Sequence, residues 1–245
     1  MLPLPIRNKV ASLLQSVSPM RLDSFNSYLP NKLRVPQLGD KVHKAASILC
    51  SESILDLYTK VSSDFDQPDQ FVIGSKLPLT VFSDITSHPK FDNKVELMMA
   101  LDSVCYLPDG ILTKVDRAGM AVSIETRIPM LDHTVFEFSW TLPFELKLNK
   151  SSSKWCLREV LYKYVPKELI DRPKMGFSVP IDSWLRGPLK EWAENLLDEK
   201  RLEVEGFFNV ALTRGLWEDH ISGRYNRQNK LWSILMFQCW YDSIK

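Results

Sequence analysis

Three observations in the sequence predict a mainly α fold. Apolar residues recur at i, i+3, i+4 and i+7 in almost every patterned segment, no set of alternating strands is present, and no internal repeat or heptad run organises the chain. Val10, Leu13, Leu14 and Val17 form one such face. Val42, Ala45, Ala46 and Leu49 form a second, and Ile54, Leu57, Tyr58 and Val61 a third. From Val95 to Leu107 apolar residues cover most of the circumference, which predicts a helix buried on several sides. Between them, residues 62–93 carry Pro68, Pro78 and Pro89 among many Ser and Asp residues and read as a long connection, with a short helix near Leu79–Ile85. After Pro108 helices are predicted at Asp109–Ser123, Thr134–Trp140, Lys154–Val165, Leu189–Leu197, Val210–Ser222 and Gln228–Ser243. The reading is one compact unit.

Composition narrows the function. The chain has 245 residues, 44% hydrophobic and 25% charged, which is the make-up of a globular protein rather than a disordered one. Its 31 basic and 30 acidic residues balance, so no basic excess points to nucleic acid. Cys50, Cys105, Cys156 and Cys239 lie more than fifty residues apart, without a CxxC pair, and read as buried free thiols of a reducing compartment. No apolar run reaches the ~18 residues of a membrane span, and the start has no basic segment leading an apolar one. A cytoplasmic protein without membrane or nucleic-acid partners is the expectation.

Several chemistries lack their residues. The nearest two of the nine glycines, Gly215 and Gly223, are eight positions apart, so neither a Walker nor a Rossmann phosphate loop is present. HExxH and GxSxG are absent, and His43, His88, His133 and His220 are scattered. Asp64, Asp66 and Asp69 lack the glycine and distal glutamate of a calcium loop and read as solvated acids; no metal site is expected in this chain. The seven tryptophans all follow residue 139 at helical spacings, which predicts core packing rather than stacking platforms.

Three segments carry more information. In residues 107–132, Ile111, Leu112, Val115, Gly119 and Val122 form an apolar stripe, and the small Ala118, Gly119 and Ala121 allow another helix to pack closely. Asp109, Thr113 and Asp116 form a polar stripe flanked by Lys114 and Arg117, and Glu125 and Arg127 follow. So many charges beside a closely packed helix predict buried pairing, with one another or with a polar ligand. In residues 171–180, Arg172 and Lys174 put two cations on a proline-bounded loop, which is either an anion site or an exposed basic loop. In residues 149–159 the serines are candidate N-caps, and Lys154 and Arg158 share a face that reads as solvated.

Taken in order, the blocks VDRAGMAVSIETRIPMLDH (115–133), KSSSKWCLREVLYKYVP (150–166) and RPKMGFSVPIDSWLRGPLKEW (172–192) resemble the C-terminal part of the synthetase domain of glutamine-hydrolysing asparagine synthetases. The resemblance implies the helical C-terminal portion of an ATP-pyrophosphatase-type (adenine nucleotide alpha hydrolase-like) α/β domain, with its parallel sheet largely missing. It implies ATP and Mg²⁺ as cofactors, and aspartate and glutamine-derived ammonia as substrates, giving asparagine, AMP and pyrophosphate. Lys174 matches the family's catalytic lysine. Asp116 and Arg117 match an Asp-Arg pair bordering the substrate pocket, and Arg172 stands beside the lysine. Glu125 and Arg127 match a Glu-x-Arg-x-Pro stretch that orders the pocket wall.

The chain also departs from that family. Position 2 is Leu2, where a glutaminase domain opens with its cysteine nucleophile, and neither a Ser-Gly-Gly-x-Asp-Ser pyrophosphate loop nor the acidic Gly-Asp-Glu motif is present. Residues 1–245 therefore read as a single incomplete synthetase domain without a glutaminase domain. Such a chain is expected to be inactive without the missing N-terminal portion. Two alternatives stand beside this one: an amidotransferase of the same family acting in polysaccharide or secondary-metabolite synthesis, and a non-catalytic helical scaffold that binds a partner.

Overall fold

The computed structural model describes residues 3–30, 33–35, 37–65, 67–78, 80–81, 90–150, 152–172 and 179–245. Helices dominate, in the order α1 (Leu4–Ser16), α2 (Pro19–Ser27), α3 (Leu38–Leu49), α4 (Ile54–Ser62), α5 (Lys94–Leu101), a π-helix (Asp102–Leu112) and α6 (Thr113–Met120). They continue as α7 (His133–Thr141), α8 (Phe144–Lys147), the strand pair β1 (Leu148–Asn149) and β2 (Ser152–Ser153), α9 (Trp155–Leu161) and α10 (Lys167–Ile170). The chain closes with α11 (Ile181–Arg186), α12 (Lys190–Leu196), α13 (Glu199–Glu205), α14 (Val210–Ile221) and α15 (Gln228–Ile244). Among the described residues the antiparallel pair β1–β2 is the only sheet, in register Leu148↔Ser153. The mainly α prediction holds. No helix among them is long and apolar enough to cross a membrane.

Contacts group the chain into two compact units, residues 1–85 with 179–245, and residues 86–178. In the first unit the helix starts are set by local chemistry. The Ser53 hydroxyl accepts the Asp56 N–H at 3.0 Å to start α4, and the Asn209 carbonyl accepts the Leu212 N–H at 3.1 Å to start α14. Gly206, at φ 70°, ends α13 in the left-handed region that glycine enters without penalty. The core of this unit is built by α11 to α15, with Leu185, Leu197, Leu202, Leu231 and Leu235 sealed from solvent around Trp217. Ala11 and Ala46 are fully buried where α1 packs on α3. Gly39 is needed at the α2–α3 contact, because a Cβ there would lie 2.4 Å from the Pro19 carbonyl oxygen.

The long connection is pinned where its apolar run falls. Val72 bridges Phe208, the Ile73 N–H donates to the Phe207 carbonyl at 2.9 Å, and the Asn209 N–H donates to the Phe71 carbonyl at 2.8 Å. The short helix expected near Leu79–Ile85 lies outside the described residues, apart from Thr80 and Val81, which are not helical.

The second unit corrects two expectations. Pro108 does not separate helices: α5, the π-helix and α6 run on without a break, with Pro108 inside the π stretch. A proline removes one N–H and crowds the carbonyl four residues back, and the wider π-turn relieves both. The Pro108 carbonyl accepts the Thr113 N–H five residues on, and the Thr113 hydroxyl donates to the same oxygen at 2.8 Å. Nor is this helix buried on several sides. Ala100, Leu101 and Cys105 are buried, whereas Val95, Val104 and Tyr106 are exposed.

The tryptophans divide. Trp217 is 2% exposed in the core, but Trp184 and Trp240 are exposed. All four cysteines are free, and of them only Cys105 is buried.

Candidate active site

The polar segment after Val115 sits on α6 and the turn that follows. Gly119 explains the local path. The Ile124 N–H donates to the Gly119 carbonyl at 2.9 Å, folding residues 124–126 back over the helix end. A Cβ at Gly119 would stand 2.7 Å from the Ile124 carbonyl oxygen and 3.2 Å from the Thr126 hydroxyl. The small residues thus receive the chain's own return rather than a second helix, contrary to the sequence expectation.

The charges of this segment are exposed, which overturns the expected buried pairing. Glu125 and Arg127 form an ion pair at 2.6 Å with side chains 68% and 84% exposed. Asp116, Arg117 and Arg172 are exposed and make no side-chain hydrogen bond or ion pair among the described residues. The turn places Glu125 and Arg127 where water solvates them, so no buried partner is required. Lys174 lies outside the described residues. The structure therefore pairs Glu125 with Arg127 and makes no contact joining Asp116 or Arg117 to Arg172.

A constellation that the sequence reading missed lies at Asp171, directly before Arg172. The Arg158 guanidinium donates to an Asp171 carboxylate oxygen at 2.6 Å, and the Tyr162 hydroxyl donates to the same oxygen at 2.7 Å. Lys167 approaches the other oxygen at 3.7 Å, its ammonium 5.5 Å from the centre of the Tyr162 ring. Arg158 also donates to the Ser153 carbonyl at 3.2 Å, so one guanidinium ties the β1–β2 hairpin to the residue preceding Arg172. The Tyr162 hydrogen bond, then the charges of Lys167 and Arg158, hold the Asp171 carboxyl below its ordinary value.

Arg158 is not on a solvated face with Lys154. Lys154 instead precedes α9 in the left-handed region at φ 57°, and Ser152 and Ser153 form β2 rather than capping the helix. The i, i+4 spacing of Arg158 and Tyr162 is visible in the sequence; their shared partner, nine residues beyond Tyr162, is not.

The rest of this unit is held from beneath. Lys147 pairs with Glu96 at 3.2 Å, largely shielded from solvent, with its ammonium 4.9 Å from the centre of the Trp140 ring. The Asp132 carboxylate accepts the Thr134 N–H at 2.9 Å and starts α7 directly after the Glu-x-Arg-x-Pro stretch. Among the described residues no three His, Cys, Asp or Glu side chains are placed to hold a metal ion. The free groups of the candidate site are mostly cationic and suit anions.

Comparison with known proteins settles the family. The asparagine synthase family model matches residues 5–242. The chain belongs to the asparagine synthase family. Asparagine synthetase [glutamine-hydrolyzing] 1 of Bacillus subtilis is 31% identical over 163 residues, which are 66% of this chain and 25% of that protein. A putative asparagine synthetase of Mycobacterium tuberculosis is 34% identical over 148 residues, 60% of this chain and 22% of the relative. The human asparagine synthetase is 31% identical over 135 residues, 49% of this chain and 24% of the relative. The chain spans about a quarter of the length of these curated relatives. No solved structure matches it.

Proposed function

We propose that this chain is the C-terminal part of an ATP-pyrophosphatase-type synthetase domain, working in an asparagine synthetase-like amidotransferase. The observation that carries this is the family match across almost the whole chain. In this reading the complete enzyme activates the aspartate side chain on the α-phosphate of ATP. Ammonia released from glutamine then displaces AMP to give asparagine. Lys174 supplies a compact positive charge where negative charge grows on the phosphate and the departing pyrophosphate. Arg172 adds a second cation beside it, Asp116 and Arg117 border the substrate pocket, and Glu125 with Arg127 orders its wall.

ATP and Mg²⁺ belong to the complete enzyme. The cationic side chains here suit its phosphates, but no described cluster suits Mg²⁺, and no step of this chain is derived through the metal. With no pyrophosphate loop in its sequence, the chain alone is inactive in this proposal. The test is pyrophosphate release from ATP and aspartate by the isolated chain, where none is expected; clear turnover would overturn that part of the reading.

One observation favours a second reading, a partner-binding scaffold. The second unit exposes Tyr106, Met120, Ile124, Met130, Phe138 and Tyr164, apolar side chains that a partner would cover. A partner captured through these residues by a chain whose Lys174→Ala form behaves identically would favour the scaffold.

A further inference from the structure

A cavity of about 670 Å³ opens within the first unit. It is lined by α3 from Asp40 to Ser47, the first turn of α15, the end of α4, the loop preceding α15, and Gln15 and Pro19 at the α1–α2 junction. That size is ordinary for a small-molecule site. None of Asp116, Arg117, Glu125 or Arg172 lines it.

Its charge is lopsided. Lys41, Lys44, Lys60, Arg227 and Lys230 line it, against the carboxylates of Asp40 and Asp64. Lys60 is engaged by Asp56 at 2.9 Å, and Arg227 by Asp219 at 3.3 Å while its guanidinium lies 4.3 Å from the centre of the Tyr225 ring. Lys41, Lys44 and Lys230 form no ion pair among the described residues, and the Lys230 ammonium lies 5.4 Å from the centre of the Phe65 ring. Asp40 is half-buried, and burial, then the charges of Asp23 and Asp182, push its pKa up.

Lys41 and Lys44 on α3 and Lys230 on α15 line one concavity without an ion-paired carboxylate, and a bound anion would neutralise them. The N–H groups that open α3 and α15 already have acceptors, Gly39 donating to an Asp23 carboxylate oxygen at 3.0 Å and Gln228 to the Asn226 side-chain oxygen at 3.1 Å, so the ammonium groups carry the site. Lysine meets phosphate as a compact point charge, whereas a lone carboxylate is matched best by a planar arginine fork. The arginine here is already held by Asp219, which leaves the lysines to select the ligand.

We propose that this cavity binds a multiply charged phosphate anion of the pyrophosphate or nucleoside polyphosphate class. The charge of such a ligand is spread over several oxygens, matching ammonium groups that lie on separate elements. The site does not depend on the ligase reading, because its residues are not those assigned to that chemistry.

Titration calorimetry on the intact chain tests the proposal, with pyrophosphate and ATP as ligands. Saturable one-to-one binding of both is expected, weaker at higher ionic strength. The Lys44→Glu/Lys230→Glu double variant should weaken both by at least about tenfold. The milder Lys44→Gln/Lys230→Gln pair, with its fold checked by circular dichroism, should weaken them in the same direction. Lys200→Gln, at an exposed lysine that does not line the cavity, should leave both unchanged. Absence of saturable pyrophosphate binding, indifference to both lysine pairs, or an equal loss of binding in Lys200→Gln would each overturn it.

Discussion

His220 shows how burial fixes a charge state. Its side chain is fully buried between α11 and α14, and its Nδ1 accepts the Arg227 N–H at 3.1 Å. Burial and then the Arg186 charge depress its pKa, against the weaker pull of Asp182. The folded chain thus holds His220 neutral, while the unfolded chain binds a proton near pH 6.5. Stability from this residue is present above that pH and is lost as pH falls below it. Urea unfolding across pH 5 to 8 should show that slope, and His220→Gln should flatten it.

Glu205 works in the opposite sense. Burial alone would raise its carboxyl, but hydrogen bonds from Lys245 at 2.7 Å and Gln238 at 2.7 Å, with the Arg201 charge, carry it below its ordinary value. Glu205→Gln at neutral pH leaves those cations underpaired and should destabilise the chain by about 1–3 kcal/mol in the same assay. Gly119→Ala, which must push back the Ile124 backbone, should cost about 1–3 kcal/mol.

At the scale of elements, the helices with the clearest sequence periodicity are the ones the structure contains. Residues 210–222 and 228–243 are predicted as helices, and α14 and α15 occupy Val210–Ile221 and Gln228–Ile244. Pairing across α11 to α15 buries Leu235 completely, so Leu235→Ala should lose about 2–5 kcal/mol in urea unfolding. Elements decided by distant contacts were not legible. The hairpin at 148–153 depends partly on the carbonyl that Arg158 holds, and the π stretch on where Pro108 falls within a helix that its neighbours continue. Short α2, α11 and α13 carry too few turns for a periodic signal.

The candidate site was less legible than the fold. Its residue types were visible as a dense polar segment, but the reading that charges must be buried failed because residues 124–126 turn back and leave Glu125 and Arg127 in water. The Arg158–Tyr162–Asp171 cluster was hidden for a different reason. Its parts come from α9, the residue that follows it and Asp171 nine positions further on, which only tertiary structure joins.

At the scale of the whole molecule, the two units differ in how much they bury. Among the described residues, the buried apolar side chains of the second unit are Ala100, Leu101 and Cys105, against a cluster of eleven that includes Trp217 in the first. Burial of apolar surface is the main favourable term in folding, so the second unit should open first. Hydrogen exchange should show residues 94–120 exchanging under milder denaturant than residues 228–244. Leu235→Ala should shift only the later step.

The family assignment rests on the match over residues 5–242, and the chemistry proposed for it rests on Lys174. The most direct measurement is pyrophosphate release from ATP and aspartate, with the chain supplied with the N-terminal remainder of the Bacillus subtilis relative. Turnover with the wild-type chain and its loss in Lys174→Ala is the predicted result. Equal turnover in the two, or none in either, would contradict the assignment of that chemistry to this chain.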